Sequence, residues 1–256
     1  IVADDLGFSD IGAYGGEMST PALDELAKEG LQLSNFHVMP TCSPTRSVLL
    51  SGMDNHRAGL GTMEEFKTPE MEGAPGYAGY LNFEVATPPE VLQRAGYHTY
   101  MSGKWHLGTE EKTSPHARGF EETFALLQGG GSHWSDRKPL CPPEAMIYRR
   151  NGKEVESLPD DFYSSRYYTD RILEWIEQGR GDDKPFFAYL SYTAPHDPLH
   201  APEDYIAKYR GKYDRGWDVL RQQRLEGLKR LGMVPDDATP FPRLPNVKAW
   251  DEMSEE

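Results

Sequence analysis

The sequence predicts an α/β protein with a mainly parallel, mixed sheet sandwiched between helices, and three observations lead to it. Apolar strand-like runs alternate along the chain with helix-like segments, the order that lays parallel strands beneath crossover helices. The helix-like segments carry their own punctuation, such as Thr20-Pro21 at a start and Gly30 at a stop. Runs such as residues 185–192, Pro-Phe-Phe-Ala-Tyr-Leu-Ser-Tyr, are apolar enough to be covered on both faces.

Taken in order, Ile1-Val2-Ala3-Asp4-Asp5 reads as the end of a buried strand that delivers two carboxylates to the sheet edge. A helix is expected over 22–29 and a strand over 31–38. A helix over 43–50 is closed by Gly52, and a capped helix over 88–95 ends at Gly96 before a strand over 97–102. Residues 146–150 and 153–155 flank Asn151-Gly152, a hairpin signal. Apolar residues at helical spacing fill 163–178, the strand 185–192 follows, and from Pro202 the chain turns polar and helical. The stretches 59–80 and 129–143 are irregular and suit substrate-facing loops.

Composition narrows the function. The 256 residues are 38% hydrophobic and 27% charged, the balance of a globular chain. Lys and Arg number 27 against 41 Asp and Glu, a net charge of -14 that excludes a nucleic-acid binder, which needs a basic face. An anionic substrate would need a local cationic pocket within this acidic body. Cys42 and Cys141 are too few for a disulfide framework and fit no zinc spacing. No apolar run approaches the roughly 18 residues of a membrane helix. The chain opens inside a strand without Met and stops at Glu256 in a polar stretch, so both ends read as cut. The compartment stays open between bacterial cytoplasm and periplasm.

Four groups of residues carry chemistry. Asp4-Asp5, at the carboxyl end of a strand, would repel each other unless a cation or hydrogen bonds intervene, and a hard divalent ion answers that; a solvated turn is the plain alternative. In Cys42-Ser43-Pro44-Thr45-Arg46 the cysteine precedes a helix whose free N–H groups favour an anion, and Arg46 lies one turn on. In Gly103-Lys104-Trp105-His106-Leu107-Gly108 the cation and the imidazole alternate across Trp105, which places them on one side of an extended backbone. Ala194-Pro195-His196-Asp197-Pro198-Leu199-His200 holds His196 between prolines after a buried strand, and His196 is preferred to His200 because it is nearer the strand end. Among the other histidines, His133 in its glycine-rich loop is the one to watch. Each group has a bland reading as surface charge or packed core. Their placement after four separate strands is what an active site assembled from strand-end loops requires.

These residues resemble the type I sulfatase family of the alkaline phosphatase superfamily. Cys42-x-Pro44-x-Arg46 with Leu49-Leu50-Ser51-Gly52 matches the signature that directs conversion of the cysteine to formylglycine (3-oxoalanine). Gly103–108 matches the second signature, and Ala3-Asp4-Asp5-Leu6-Gly7 and Ala194-Pro195-His196 match further blocks. The likeness runs along essentially the whole chain and is nearest in character to bacterial arylsulfatases of the Pseudomonas type.

The resemblance implies an incomplete alkaline-phosphatase-like fold, with residues 1–256 as the N-terminal part of a catalytic domain. It implies Ca²⁺, or Mg²⁺, on Asp4, Asp5 and the modified Cys42. It implies a hydrated formylglycine at Cys42 whose one hydroxyl attacks sulfur and whose other is deprotonated as sulfate leaves. Arg46 would stabilise the nucleophile, Lys104 and His196 would hold the sulfate, His196 would protonate the leaving alcohol, and His106 would take the proton in the elimination. The implied partners are a small sulfate ester and a formylglycine-generating or sulfatase-maturating enzyme, with no nucleic acid. The family's downstream Asp-Asn metal ligands and second lysine have no counterpart here, Asp54-Asn55 being in the wrong place. The chain alone is therefore expected to bind Ca²⁺ weakly and to be nearly inactive. The alternatives are a phosphonate or phosphate ester hydrolase of the same superfamily and a non-catalytic homologue that binds sulfated ligands.

Overall fold

The computed structural model describes residues 1–140 and 145–254. Cys141, the end of the 129–143 stretch and Glu256 lie outside the described residues. The chain divides into two compact units, one of residues 1–5 and 38–200, the other of residues 6–37 and 201–256.

The first unit holds a six-stranded sheet. In chain order its elements are β1 (Val2–Asp4), a helix at Cys42–Leu49, another at Pro88–Arg94, β2 (His98–Lys104), β3 (Glu122–Leu126), β4 (Tyr148–Arg150), β5 (Lys153–Glu154), a helix at Ser164–Gln178 and β6 (Phe186–Pro195). Counting the helix Pro21–Glu29 of the second unit as α1, these three helices are α2, α3 and α4. The strand order is β1-β6-β2-β3-β4-β5. The first four run parallel, and β4 and β5 form an antiparallel hairpin against β3, turning at Asn151-Gly152. The mainly parallel, mixed sheet is therefore as expected.

Period-two alternation covers both faces. Met101, Ala125 and Tyr189 point into one core, with Leu50, Leu60, Leu81, Trp105 and Phe120. Their neighbours Tyr100, Phe124, Leu126 and Leu190 point into the other, where α4 contributes Tyr168, Ile172 and Trp175 at helical spacing. On the first face the chain from 81 to 90 is pinned by the buried guanidinium of Arg118. It donates to the carbonyls of Leu81 (2.6 Å), Asn82 (3.0 Å) and Val85 (2.8 Å) and to Glu90 Oε1 (2.9 Å). A capping box between Thr87 and Glu90 starts α3 there.

Two expectations are corrected. No strand forms over 31–38; the segment is irregular, and Leu31, Leu33, Phe36 and Val38 are exposed. Its apolar alternation is real, but a strand also needs an edge to pair with. Cys42 accordingly follows no strand, so three strand ends rather than four feed the site. Conversely β3, central in the sheet and buried on both faces, was not expected: five residues between turns are too short to declare a period.

The second unit contains α1, α5 (Glu203–Ala207) and α6 (Gly216–Arg230). Arg224 of α6 grips Glu17 with two hydrogen bonds of 2.8 Å and also reaches Asp10. Those hydrogen bonds from Arg224 hold the Glu17 carboxyl down at about 2 against the penalty of burial. Gly227 lets α6 approach the turn at Gly15, since a Cβ there would lie 2.5 Å from the Gly15 carbonyl oxygen. Among the described residues no helix is long and apolar enough to cross a membrane.

Candidate active site

Parallel strands that run the same way bring their carboxyl ends to one edge, and side chains placed there meet whatever binds. Asp4 is the last residue of β1, Lys104 the last of β2, and His196 the first residue beyond β6. Cys42 is the first residue of α2, with Thr41 as its extended N-cap residue, so free backbone N–H groups of the helix start surround it.

The centre is a buried charge cluster. Lys104, fully buried, donates from Nζ to Asp4 Oδ2, and Arg46 Nη2 lies 3.2 Å from the same oxygen. Arg46 is held by Nη1, which donates to the Lys104 carbonyl (2.7 Å) and to Ser191 Oγ (2.6 Å). Burial raises the Asp4 carboxyl, but the two cations outweigh it and bring it down to about 2. Two cations against one buried carboxylate leave positive charge in excess, which an anion can answer. This is the local cationic pocket that an acidic chain needs.

Cys42 Sγ lies 3.6 Å from Asp4 Oδ1. Burial pushes its thiol up, yet the neighbouring His106 and His196 and the Lys104 charge bring it to about 6. His196 is raised to about 9, first by the neighbouring Cys42. Its backbone N–H donates to the Asp4 carbonyl (2.5 Å), and Nδ1 donates to the Asp197 carbonyl (2.8 Å), which leaves Nε2, 3.9 Å from Asp5 Oδ2. His133 is buried behind it, with Nδ1 2.7 Å from Ser164 Oγ. His200 lies beside Trp134, the rings stacked at 6.2 Å.

His106 reaches Cys42 by a different route from strand alternation. Its φ of 56° is left-handed, so the chain turns after Trp105 rather than continuing β2. Trp105 anchors the turn, its backbone N–H donating to the Leu126 carbonyl and its indole to the Thr113 carbonyl. His106 Nε2 lies 3.0 Å from Glu65 Oε1, a residue that the sequence did not single out. Glu65 falls in the irregular 59–80 stretch, where nothing local distinguishes it from Glu64. Ser191, which seats Arg46, was likewise missed inside an apolar strand.

Asp5 is largely exposed, yet partial desolvation and the neighbouring Asp4 carboxylate raise its carboxyl above the usual range. Two carboxylates that disfavour each other's charge suit a divalent cation between them. Ligand atoms of Asp4, Cys42 and His196 lie within 4.8 Å of one another. With sulfur at residue 42 that set is mixed in hardness. Were residue 42 to offer oxygen, Asp4, Asp5 and residue 42 would be hard donors of the kind Ca²⁺ or Mg²⁺ takes.

The sulfatase family model matches residues 1–238. The chain is similar to an uncharacterized sulfatase of Schizosaccharomyces pombe, 48% identical over 100% of this chain and 48% of the relative. It is similar to an arylsulfatase of Klebsiella aerogenes, 43% identical over 100% of this chain and 54% of the relative. The chain thus spans about half the length of these curated relatives. Among solved structures, Ps i-CgsB in complex with k-i-k-neocarrahexaose superposes with a TM-score of 0.70 at 25% identity, over 91% of this chain and 54% of that one.

Proposed function

Since this chain belongs to the sulfatase family, we propose that it carries the nucleophile-bearing half of an arylsulfatase-type site, which cleaves sulfate monoesters to an alcohol or phenol and inorganic sulfate. The observation that supports this is the convergence of Asp4, Cys42, Arg46, Lys104, His106 and His196 at one sheet edge around excess positive charge.

Cys42 is the residue a maturating enzyme would convert to formylglycine, whose hydrate supplies an oxygen nucleophile and a way to release sulfate without a second attack by water. Asp4 and Asp5 would hold the divalent cation, which supplies charge stabilisation of that nucleophile. Arg46, clamped by Ser191 and the Lys104 carbonyl, cannot swing away and keeps its charge beside residue 42. Lys104 and His196 hold sulfate oxygens, and His196 is placed to give a ring proton to the departing alkoxide. His106 takes a proton when sulfate is released.

The test is the mass of the Cys42 peptide after co-expression with a formylglycine-generating enzyme, followed by rates of the full-length protein on an aryl sulfate and on a phosphate diester. The expected result is loss of the thiol in favour of an aldehyde that hydrazine traps, and preference for the sulfate. An unmodified thiol would remove Cys42 from the mechanism, and a faster phosphate diester reaction would replace the substrate class.

A further inference from the structure

His106 is held in a conformation that needs explaining. Its backbone is left-handed, an arrangement uncommon outside glycine and retained where surrounding structure over-determines it. The ring is buried and has two nitrogens in unlike surroundings. Nε2 faces the carboxylate of Glu65, 3.0 Å from Oε1 and 3.3 Å from Oε2. Nδ1 is buried without a hydrogen-bond partner among the described residues.

The surroundings reserve Glu65 for this contact. Its neighbour Glu64 is drawn to Lys67, whose Nζ lies 3.3 Å away, as is Glu72 at 3.0 Å, so the local cation is spent on the other two carboxylates. Gly129 borders the pair. A Cβ there would stand 2.7 Å from His106 Cε1 and 3.0 Å from Glu65 Oε1, so a side chain at 129 would part ring and carboxylate. Although burial opposes it, the imidazole keeps the Glu65 carboxyl below its usual range, so Glu65 stays an acceptor.

We propose that Glu65 is the positioning residue of His106: its carboxylate accepts the Nε2 proton, which fixes the tautomer with Nδ1 as the free base and holds the ring in one orientation. The inference rests on the sulfatase reading for what that base does. When the carbon–oxygen bond to the departing sulfate breaks, its electron pair leaves with sulfate. The proton of the remaining hydroxyl at residue 42 passes to Nδ1, the carbonyl re-forms, and Glu65 stabilises the resulting imidazolium across Nε2.

The experiment is long-range ¹H–¹⁵N spectroscopy of imidazole nitrogens in the unmodified protein, with His106 assigned by its loss in His106→Gln. The expected spectrum of wild type shows His106 with its proton on Nε2. Glu65→Ala moves it to a mixture of tautomers, Glu65→Gln, which still offers an acceptor oxygen, restores the Nε2–H form, and Glu64→Gln changes nothing. In the matured full-length enzyme Glu65→Ala lowers kcat roughly 10–100-fold with KM within about twofold, and Glu65→Gln recovers part of it. An Nδ1–H tautomer in wild type, or an unchanged tautomer in a folded Glu65→Ala protein, overturns the proposal. A matured full-length wild type that does not cleave aryl sulfates would instead count against the sulfatase reading, and the spectra would still decide what Glu65 does to His106.

Discussion

At the scale of single residues, stability and chemistry are carried by polar side chains whose partners come from distant parts of the chain. His98 lies between two carboxylates, with Nδ1 3.1 Å from Glu121 Oε2 and Nε2 2.7 Å from Asp182 Oδ2. Both contacts require donors, so the folded protein favours the imidazolium, and hydrogen bonds from Asp182 and then Glu121 raise the His98 pKa. The contribution to stability is therefore complete below the ordinary histidine value and fades as pH rises through the elevated folded value. His98→Gln should lower Tm more at pH 5.5 than at pH 9, and thermal melts of both proteins at the two values check it. An equal loss at both would mean that the ring acts only by stacking on Tyr100. The same logic explains which site residues were legible. Cys42, Arg46, Lys104 and His196 sit in contiguous blocks that a reader of the chain meets together. Glu65 meets His106 across 41 residues, and only folding brings that contact into being.

At the scale of elements, the central fact is how closely β2 and β6 approach at the end that bears the site. Gly103 pairs with Ser191 across the parallel ladder, has φ +120°, and would put a Cβ 1.8 Å from the Ser191 carbonyl oxygen. Neither the backbone nor the contact tolerates a side chain. The position matters beyond its own packing, because Lys104 follows it and Ser191 seats Arg46. Gly103→Ala is expected to cost about 1–3 kcal/mol in urea unfolding, from overpacking with a rigid neighbour. It should also misplace Lys104 and Arg46 and depress turnover beyond the stability loss. Wild-type stability in this variant would show that the ladder can open there freely. The segment 31–38 and β3 illustrate the limits of element reading. Period two reports which faces are apolar, while a ladder needs a partner edge that lies elsewhere in the chain.

At the scale of the whole molecule, a chain of net charge -14 builds a cationic pocket, and it does so by burying two cations against one aspartate at a sheet edge. A divalent cation on Asp4 and Asp5 would bind the folded state alone, so it should raise stability by mass action. The expectation is about 2.7 kcal/mol when free Ca²⁺ stands a hundredfold above its dissociation constant. Thermal melts with EDTA and with graded Ca²⁺ measure this, and Asp5→Asn, at an exposed position, should reduce the shift. A Tm indifferent to Ca²⁺ in wild type would remove the cation from these two carboxylates.

The sequence by itself determined the fold class, the family and most of the residues that the structure brings together at the candidate site. Those properties follow from local period, from helix punctuation and from residues adjacent along the chain. The tertiary structure alone decided that 31–38 is not a strand, that β3 joins the sheet, that Lys104 and Arg46 share one carboxylate, and that Glu65 holds His106. Each of these depends on a partner remote in sequence, and pairing between remote groups is settled by packing rather than by any local pattern.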